Sequence, residues 1–339
     1  MKQILITGGA GFIGSHLCEA LLQRDHQILC LDNFNDYYDP KIKRDNLRGL
    51  LGKANYQLVE GDILDQGFLR QVFESTRIDT IVHLAARAGV RPSIQDPPLY
   101  QKVNVQGTVN LLEAAKDFGV QKFIFASSSS VYGRNKKVPF SEADVVDHPI
   151  SPYAASKKAG ELVCYTYHHL YALPVTCLRF FTVYGPRQRP DMAIHKFTKR
   201  IFQQDKIALY GDGRSRRDYT YITDIIQGIC KSIDRCTGYH IYNLGESKTI
   251  ELLTLVELIS TALGKKADIG FLPQQAGDVP VTFADISKAR EELGYRPQVE
   301  IEQGIEKFVR WFTDFARFEH GKENPVVLPT PVRHGALCA

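Results

Sequence analysis

A chain of 339 residues is longer than most single domains, which favours one large α/β domain carrying a smaller region. Its 44% hydrophobic and 24% charged residues are an ordinary globular balance, and a net charge of +4 scattered along the chain argues against a nucleic-acid partner. No apolar run reaches the roughly 20 residues of a membrane-spanning helix, which argues against a membrane partner.

The opening "MKQILITGGAG" stops too soon at glycine for a signal peptide and reads as a first strand. Apolar, β-branched runs then recur at 3–8, 26–32, 56–62, 79–86, 122–128 and 174–181. Longer helix-like stretches lie between them, among them 97–118 and 152–172. This alternation predicts an α/β fold of the Rossmann type, a doubly wound parallel sheet covered by helices on both faces. Residues 1–185 would form that dinucleotide-binding domain. Beyond 185 the pattern loosens into Gly/Pro/Arg-rich loops, short strands and helices at 223–234, 251–263 and 301–318. We read 186–320 as a smaller C-terminal substrate-binding region interleaved with the first domain. The last stretch, 321–339, has three prolines and no periodicity, and reads as a flexible tail. Seven cysteines without a C-x-x-C suggest reduced thiols in a cytoplasm and no metal site.

The stretch "TGGAGFIG" follows the first strand and opens a helix, with glycines at 8, 11 and 14. Without side chains at Gly8, Gly11 and Gly14 the backbone can turn tightly and aim amides at a pyrophosphate, with Phe12 and Ile13 filling the turn. Asp32 ends the next strand eighteen residues beyond Gly14, where a carboxylate accepts ribose hydroxyls and repels a 2′-phosphate. NAD is therefore the expected cofactor, with Asn33 beside that ribose. Asp62 and Ile63 fall near the expected adenine site, and Leu84, Ala85 and Ala86 near the pyrophosphate and nicotinamide ribose. Asn104 lies in the following helical segment. Each of these later residues, taken alone, reads more readily as structural; together they fall at the carboxyl ends of strands, where open α/β sheets bind ligands.

In "SPYAASK", Tyr153 and Lys157 stand one helical turn apart and share a face. With the glycine turn, "SSSSVYG" (127–133) and "RFFTVYGPRQRP" (179–190), that pair resembles the extended short-chain dehydrogenases/reductases, and among them the nucleotide-sugar epimerases. The resemblance runs over roughly residues 1–315. It implies a catalytic trio of Ser128, Tyr153 and Lys157, with Phe180 at the cofactor, and a homodimer paired through helices near 100–118 and 153–172. A phenol is a poor base at neutral pH, so the ammonium of Lys157 is expected to favour the phenolate of Tyr153.

Dehydratases of this family carry an Asp-Glu pair, and UDP-glucuronate decarboxylases a glutamate, where this chain has Ser129 and Ser130. Without those acids the resemblance implies 4-epimerisation of a UDP-sugar. Thr182 stands where hexose epimerases usually have Asn, and the segment after it is similar to that of UDP-glucuronate 4-epimerases. The expected substrate is UDP-glucuronate, converted to UDP-galacturonate. Its carboxylate would meet Thr182 and Arg189, with Arg91 a second candidate and Ser129 nearby; a pyrophosphate contact or a solvated loop charge is the other reading of both arginines. Arg217 and Asp278 match the family's UDP-binding positions, although Gln275 replaces a second pyrophosphate arginine. A UDP-glucose or UDP-N-acetylglucosamine 4-epimerase, and a non-catalytic NAD-binding regulator, stay open alternatives.

Overall fold

Strands made of Ile, Leu, Val and Phe without polar alternation must be covered on both faces, and the sheet is built accordingly. The computed structural model describes residues 1–274 and 279–320. Its central sheet comprises β1 (Gln3–Thr7), β2 (Gln27–Asp32), β3 (Tyr56–Glu60), β4 (Thr80–His83), β5 (Lys122–Ser128), β6 (Val175–Phe180) and β7 (Tyr239–Leu244). They lie in the order β7-β6-β5-β4-β1-β2-β3, every neighbouring pair parallel. Side chains alternate between two cores: Ile4, Ile6, Val82, Ile124 and Leu178 on one face, Leu5, Ile81, Phe123, Phe125 and Cys177 on the other.

Strand order reverses on either side of β1, which opens a crevice at the carboxyl ends of β1 and β4. The strands expected at 56–62 and 79–86 stop early, at Glu60 and His83. Their remaining residues leave the sheet and line that crevice. β7 comes from beyond residue 185, and the later part of the chain thus completes the first sheet. Its "YHIYNL" alternates polar and apolar residues, which hid it among short loop strands.

The helical stretch expected at 97–118 is three pieces: Pro97–Gln101, a π-turn at Lys102–Gln106, and Gly107–Asp117. The helix Pro152–Tyr171 begins sharply because Ser151 accepts a hydrogen bond from the Ala154 N–H (3.1 Å) and Pro152 fits the first turn. Ala172, in the left-handed conformation, ends it. Among the described residues no helix is long and apolar enough to cross a membrane, and six cysteines are free, five of them buried.

Ser151→Ala removes this cap from the helix that carries Tyr153 and Lys157. Denaturant unfolding should show a loss of about 1 kcal/mol with an unchanged m-value.

Candidate active site

The Ser-Pro start of the helix sets the direction of Tyr153 and Lys157, and two bonds then hold the pair. Lys157 Nζ donates to the Ala126 carbonyl on β5 at 2.6 Å, with its ammonium 5.2 Å from the centre of the Phe125 ring. Ser156 Oγ donates to the Tyr153 carbonyl (2.8 Å) and accepts from Asn104 Nδ2 (2.9 Å). Ser128 ends β5, and its Oγ accepts from the Ser130 N–H (3.2 Å) and Ser130 Oγ (3.0 Å).

Two adjoining cavities meet at this trio. The first, about 290 Å³, is lined by Gly8, Gly11, Phe12, Ile13, Gly14, Asp32, Asn33, Asp62, Ile63, Leu84, Ala85, Ala86, Tyr153, Lys157 and Phe180. The second, about 380 Å³, is lined by Ser128, Ser129, Tyr153, Thr182, Arg189 and Arg217 among others. Phe12, Ile13, Ser127, Tyr153, Phe180 and Arg189 line both, so a ligand in either abuts the other at Tyr153.

The first cavity suits a dinucleotide. Gly8 has φ +68°, and a Cβ there would stand 2.8 Å from the Ala85 amide nitrogen. A Cβ on Gly14 would lie 2.3 Å from the Gly8 carbonyl oxygen and 2.6 Å from Gly9 Cα. The helix that follows, Phe12–Leu22, starts at Gly11 without a side-chain cap, so its first amides are left to an anion. Asp32 accepts from the Ala10 (3.2 Å) and Phe34 (2.9 Å) amides, tying the second strand to the glycine turn. Asn33 Nδ2 donates to Asp62 Oδ2 (3.0 Å), bridging β2 to β3.

Several expectations need correction. Asn104 does not line the crevice: its Oδ1 accepts from the Arg87 N–H (2.8 Å), its Nδ2 donates to the Arg87 carbonyl (3.0 Å), and it acts by pinning the loop after β4. Arg91 lines neither cavity, and its guanidinium lies 4.7 Å over the Tyr210 ring. The Tyr153 phenol is not lowered as expected: burial raises it, with the Ser128 hydrogen bond and Arg189 opposing. Lys157 is itself lowered by burial, to about 8, with Cys164 and Glu161 opposing. Arg189 already makes two bonds to Asp191, from Nε and Nη2, both 2.9 Å. Arg217 Nη1 donates to the Arg216 carbonyl (2.9 Å) as it lines the second cavity. Asp278 and Gln275 lie outside the described residues.

Some neighbours were not anticipated. Buried Lys43 stands 3.5 Å from Asp32 and partly balances its charge, so preference against a 2′-phosphate rests less on repulsion than the sequence implied. Tyr100 packs edge-on against Tyr153 with ring centres 6.2 Å apart. Tyr37 lines the first cavity, with its ring centre 5.5 Å from the Arg189 guanidinium and its hydroxyl 3.5 Å from Asp191. The aromatic pair and proline of "NFNDYYDP" were the available hint that this loop folds over the crevice.

A family model described as GDP-mannose 4,6 dehydratase matches residues 5–308. A UDP-glucuronate 4-epimerase of Thermodesulfobacterium geofontis is 45% identical over 312 residues, spanning 92% of this chain and 96% of the relative. The crystal structure of a Bacillus cereus UDP-glucuronic acid 4-epimerase, in complex with UDP-glucuronic acid and NAD, superposes with a TM-score of 0.88 at 37% identity, covering 92% of this chain and 99% of that one. A Thermotoga maritima UDP-glucose 4-epimerase with UDP-glucose gives 0.86 at 32% identity, with 93% and 99% covered.

Gly14→Ala drives a methyl into the backbone of the turn, a clash of about 1–3 kcal/mol. Titration calorimetry should show NAD affinity reduced about tenfold or more, with the far-UV spectrum unchanged.

Proposed function

The chain belongs to the extended short-chain dehydrogenases/reductases as an NAD-dependent nucleotide-sugar 4-epimerase, and from that premise we propose that it interconverts UDP-glucuronate and UDP-galacturonate through a transient 4-keto sugar. The observation that carries this choice of sugar is the placement of Thr182 and Arg189 in the cavity that also holds Ser128 and Tyr153. Ser129 and Ser130 supply neither acid nor base for expelling a hydroxyl, which favours plain epimerisation.

NAD, which the glycine turn and Asp32 would hold in the first cavity, would supply the hydride acceptor and donor for carbon 4 of the sugar. Tyr153 takes the hydroxyl proton of that carbon and gives it back, with Ser128 sharing the same oxygen. Burial raises the Tyr153 phenol, and the Ser128 hydrogen bond and Arg189 oppose that rise. Lys157, anchored on Ala126, would hold the nicotinamide ribose.

Oxidation at carbon 4 of a uronate creates a β-keto acid, which loses carbon dioxide most easily when the breaking bond stands perpendicular to the carbonyl plane. Thr182 and Arg189 hold the carboxylate away from that geometry. Two of the guanidinium's five N–H groups are engaged by Asp191, so donors remain for the substrate. We also propose a homodimer, supported by Leu162, Tyr165 and Leu170 exposed on the helix Pro152–Tyr171.

Incubation with UDP-glucuronate, without added reductant, should yield UDP-galacturonate, and UDP-glucose should react orders of magnitude more slowly. Arg189→Met should lose uronate preference and release a UDP-pentose with carbon dioxide. Parental turnover by that variant, with no pentose, would remove Arg189 from carboxylate control.

The ammonium of Lys157 is present below about pH 8 and lost as pH rises through it, because burial depresses its pKa. Turnover should therefore fall with a midpoint near pH 8. Lys157→Arg, whose charge does not titrate there, should be slower yet flat across that range. A parental profile flat well above that midpoint would show that the proton on Lys157 is not needed.

A further inference from the structure

Arg179 is among the largest fully buried side chains of the described residues, and it is paired with a carboxylate that is equally buried: both are about 1% exposed. Arg179 Nε donates to Glu161 Oε1 (2.8 Å) and Nη2 to Glu161 Oε2 (2.9 Å). An apolar pair of similar volume is often as stable as a buried ion pair, so stability alone gives little reason for this one. What else the pair touches is more informative. Ser127 Oγ donates to Glu161 Oε1 (2.6 Å), and Arg179 Nη1 donates to the Tyr132 hydroxyl (3.0 Å). That hydroxyl donates to Asn243 Oδ1 (2.7 Å).

Each partner sits next to catalytic machinery. Ser127 precedes Ser128 on β5. Glu161 lies one turn beyond Lys157 on the helix that carries Tyr153. Tyr132 closes the 3₁₀ turn Ser129–Tyr132 that follows Ser128. The sheet register sets Ser127 opposite Arg179, and Arg179 opposite Asn243, on three adjacent strands. The fork of the guanidinium therefore measures the separation between the end of β5, the turn after it and the helix laid above.

We propose that Glu161 and Arg179 are positioning residues for hydride and proton transfer, fixing Ser128 against Tyr153 and Lys157 through Ser127 and Tyr132. They take this role on the epimerase reading of the site. The pair touches neither cavity itself and acts through its neighbours. A planar carboxylate and guanidinium suit this task because two parallel bonds fix orientation as well as distance.

The test uses the NAD-loaded enzyme and whichever UDP-sugar the parent turns over, so that a wrong choice of sugar is seen first, in the parent. Ser127→Ala removes one bond of the network, and the double variant Glu161→Met/Arg179→Met replaces the pair by apolar side chains. Each is read for Tm, retained NAD, KM and the absorbance rise of reduced nicotinamide on rapid mixing with substrate. In the double variant Tm should be close to the parent, and reduction of the cofactor should slow about 10–100-fold while KM changes less than about twofold. Ser127→Ala, at a residue that also lines both cavities, should slow the same phase several-fold with Tm close to the parent. Parental reduction rates in a folded double variant would overturn the proposal. So would losses of rate, NAD and KM that merely track Tm. If the double variant does not fold, Ser127→Ala decides: parental reduction rates there sink the proposal.

Discussion

The constraint on which the site depends is an ammonium buried against a backbone carbonyl, Lys157 on Ala126. A desolvated cation is costly, and its neighbours are arranged so that no second cation is added. His83 is the instructive case. Burial, with Lys157 contributing, pushes its pKa down to about 3, so the ring stays neutral. Its bonds agree with a neutral ring. Thr108 Oγ1 donates to the Asn104 carbonyl (2.6 Å), so it accepts from His83 Nε2–H (3.0 Å). Thr7 Oγ1 accepts from the Ala85 amide (3.3 Å), so it donates to His83 Nδ1 (2.8 Å). One uncharged imidazole thereby joins the strand before the glycine turn to the π-turn, where Asn104 and Ser156 carry the connection to Tyr153. Cofactor cradle and catalytic helix are parts of one buried polar lattice.

What the sequence disclosed was local. The glycine spacing, the strand before it and the Asp after the next strand lie within one βαβ unit, and an i, i+4 pair is a property of a single helix turn. What it hid depends on the packing of distant segments. Lys43 meets Asp32 because the helix Pro40–Leu47 folds back over the crevice, and no periodicity announces that. Asn104, expected at the cofactor, is bonded to Arg87 and Ser156 instead, because a π-turn re-aims a side chain by an amount no helical pattern contains. β7 was missed because its partner, β6, lies some sixty residues earlier, beyond any local signal.

The same limit explains the misjudged tuning of Tyr153. From sequence, the nearest charge along the helix was Lys157. In three dimensions burial prevails, and the charge that opposes it is Arg189, brought from the loop after β6. Its guanidinium serves both cavities, beside Tyr37 on the cofactor side and beside Tyr153 on the sugar side.

That double exposure bears on why Asp191 is there. The guanidinium beside Tyr153 opposes the rise that burial imposes on the phenol, and a uronate arriving on it would take part of that help away. With Asp191 already bidentate on Arg189, one carboxylate is in place before any substrate binds. On the uronate reading, the sugar carboxylate takes the N–H donors that Asp191 leaves free, so the internal pair stays in place. A neutral hexose leaves those donors unused, so on that reading discrimination falls on binding and orientation.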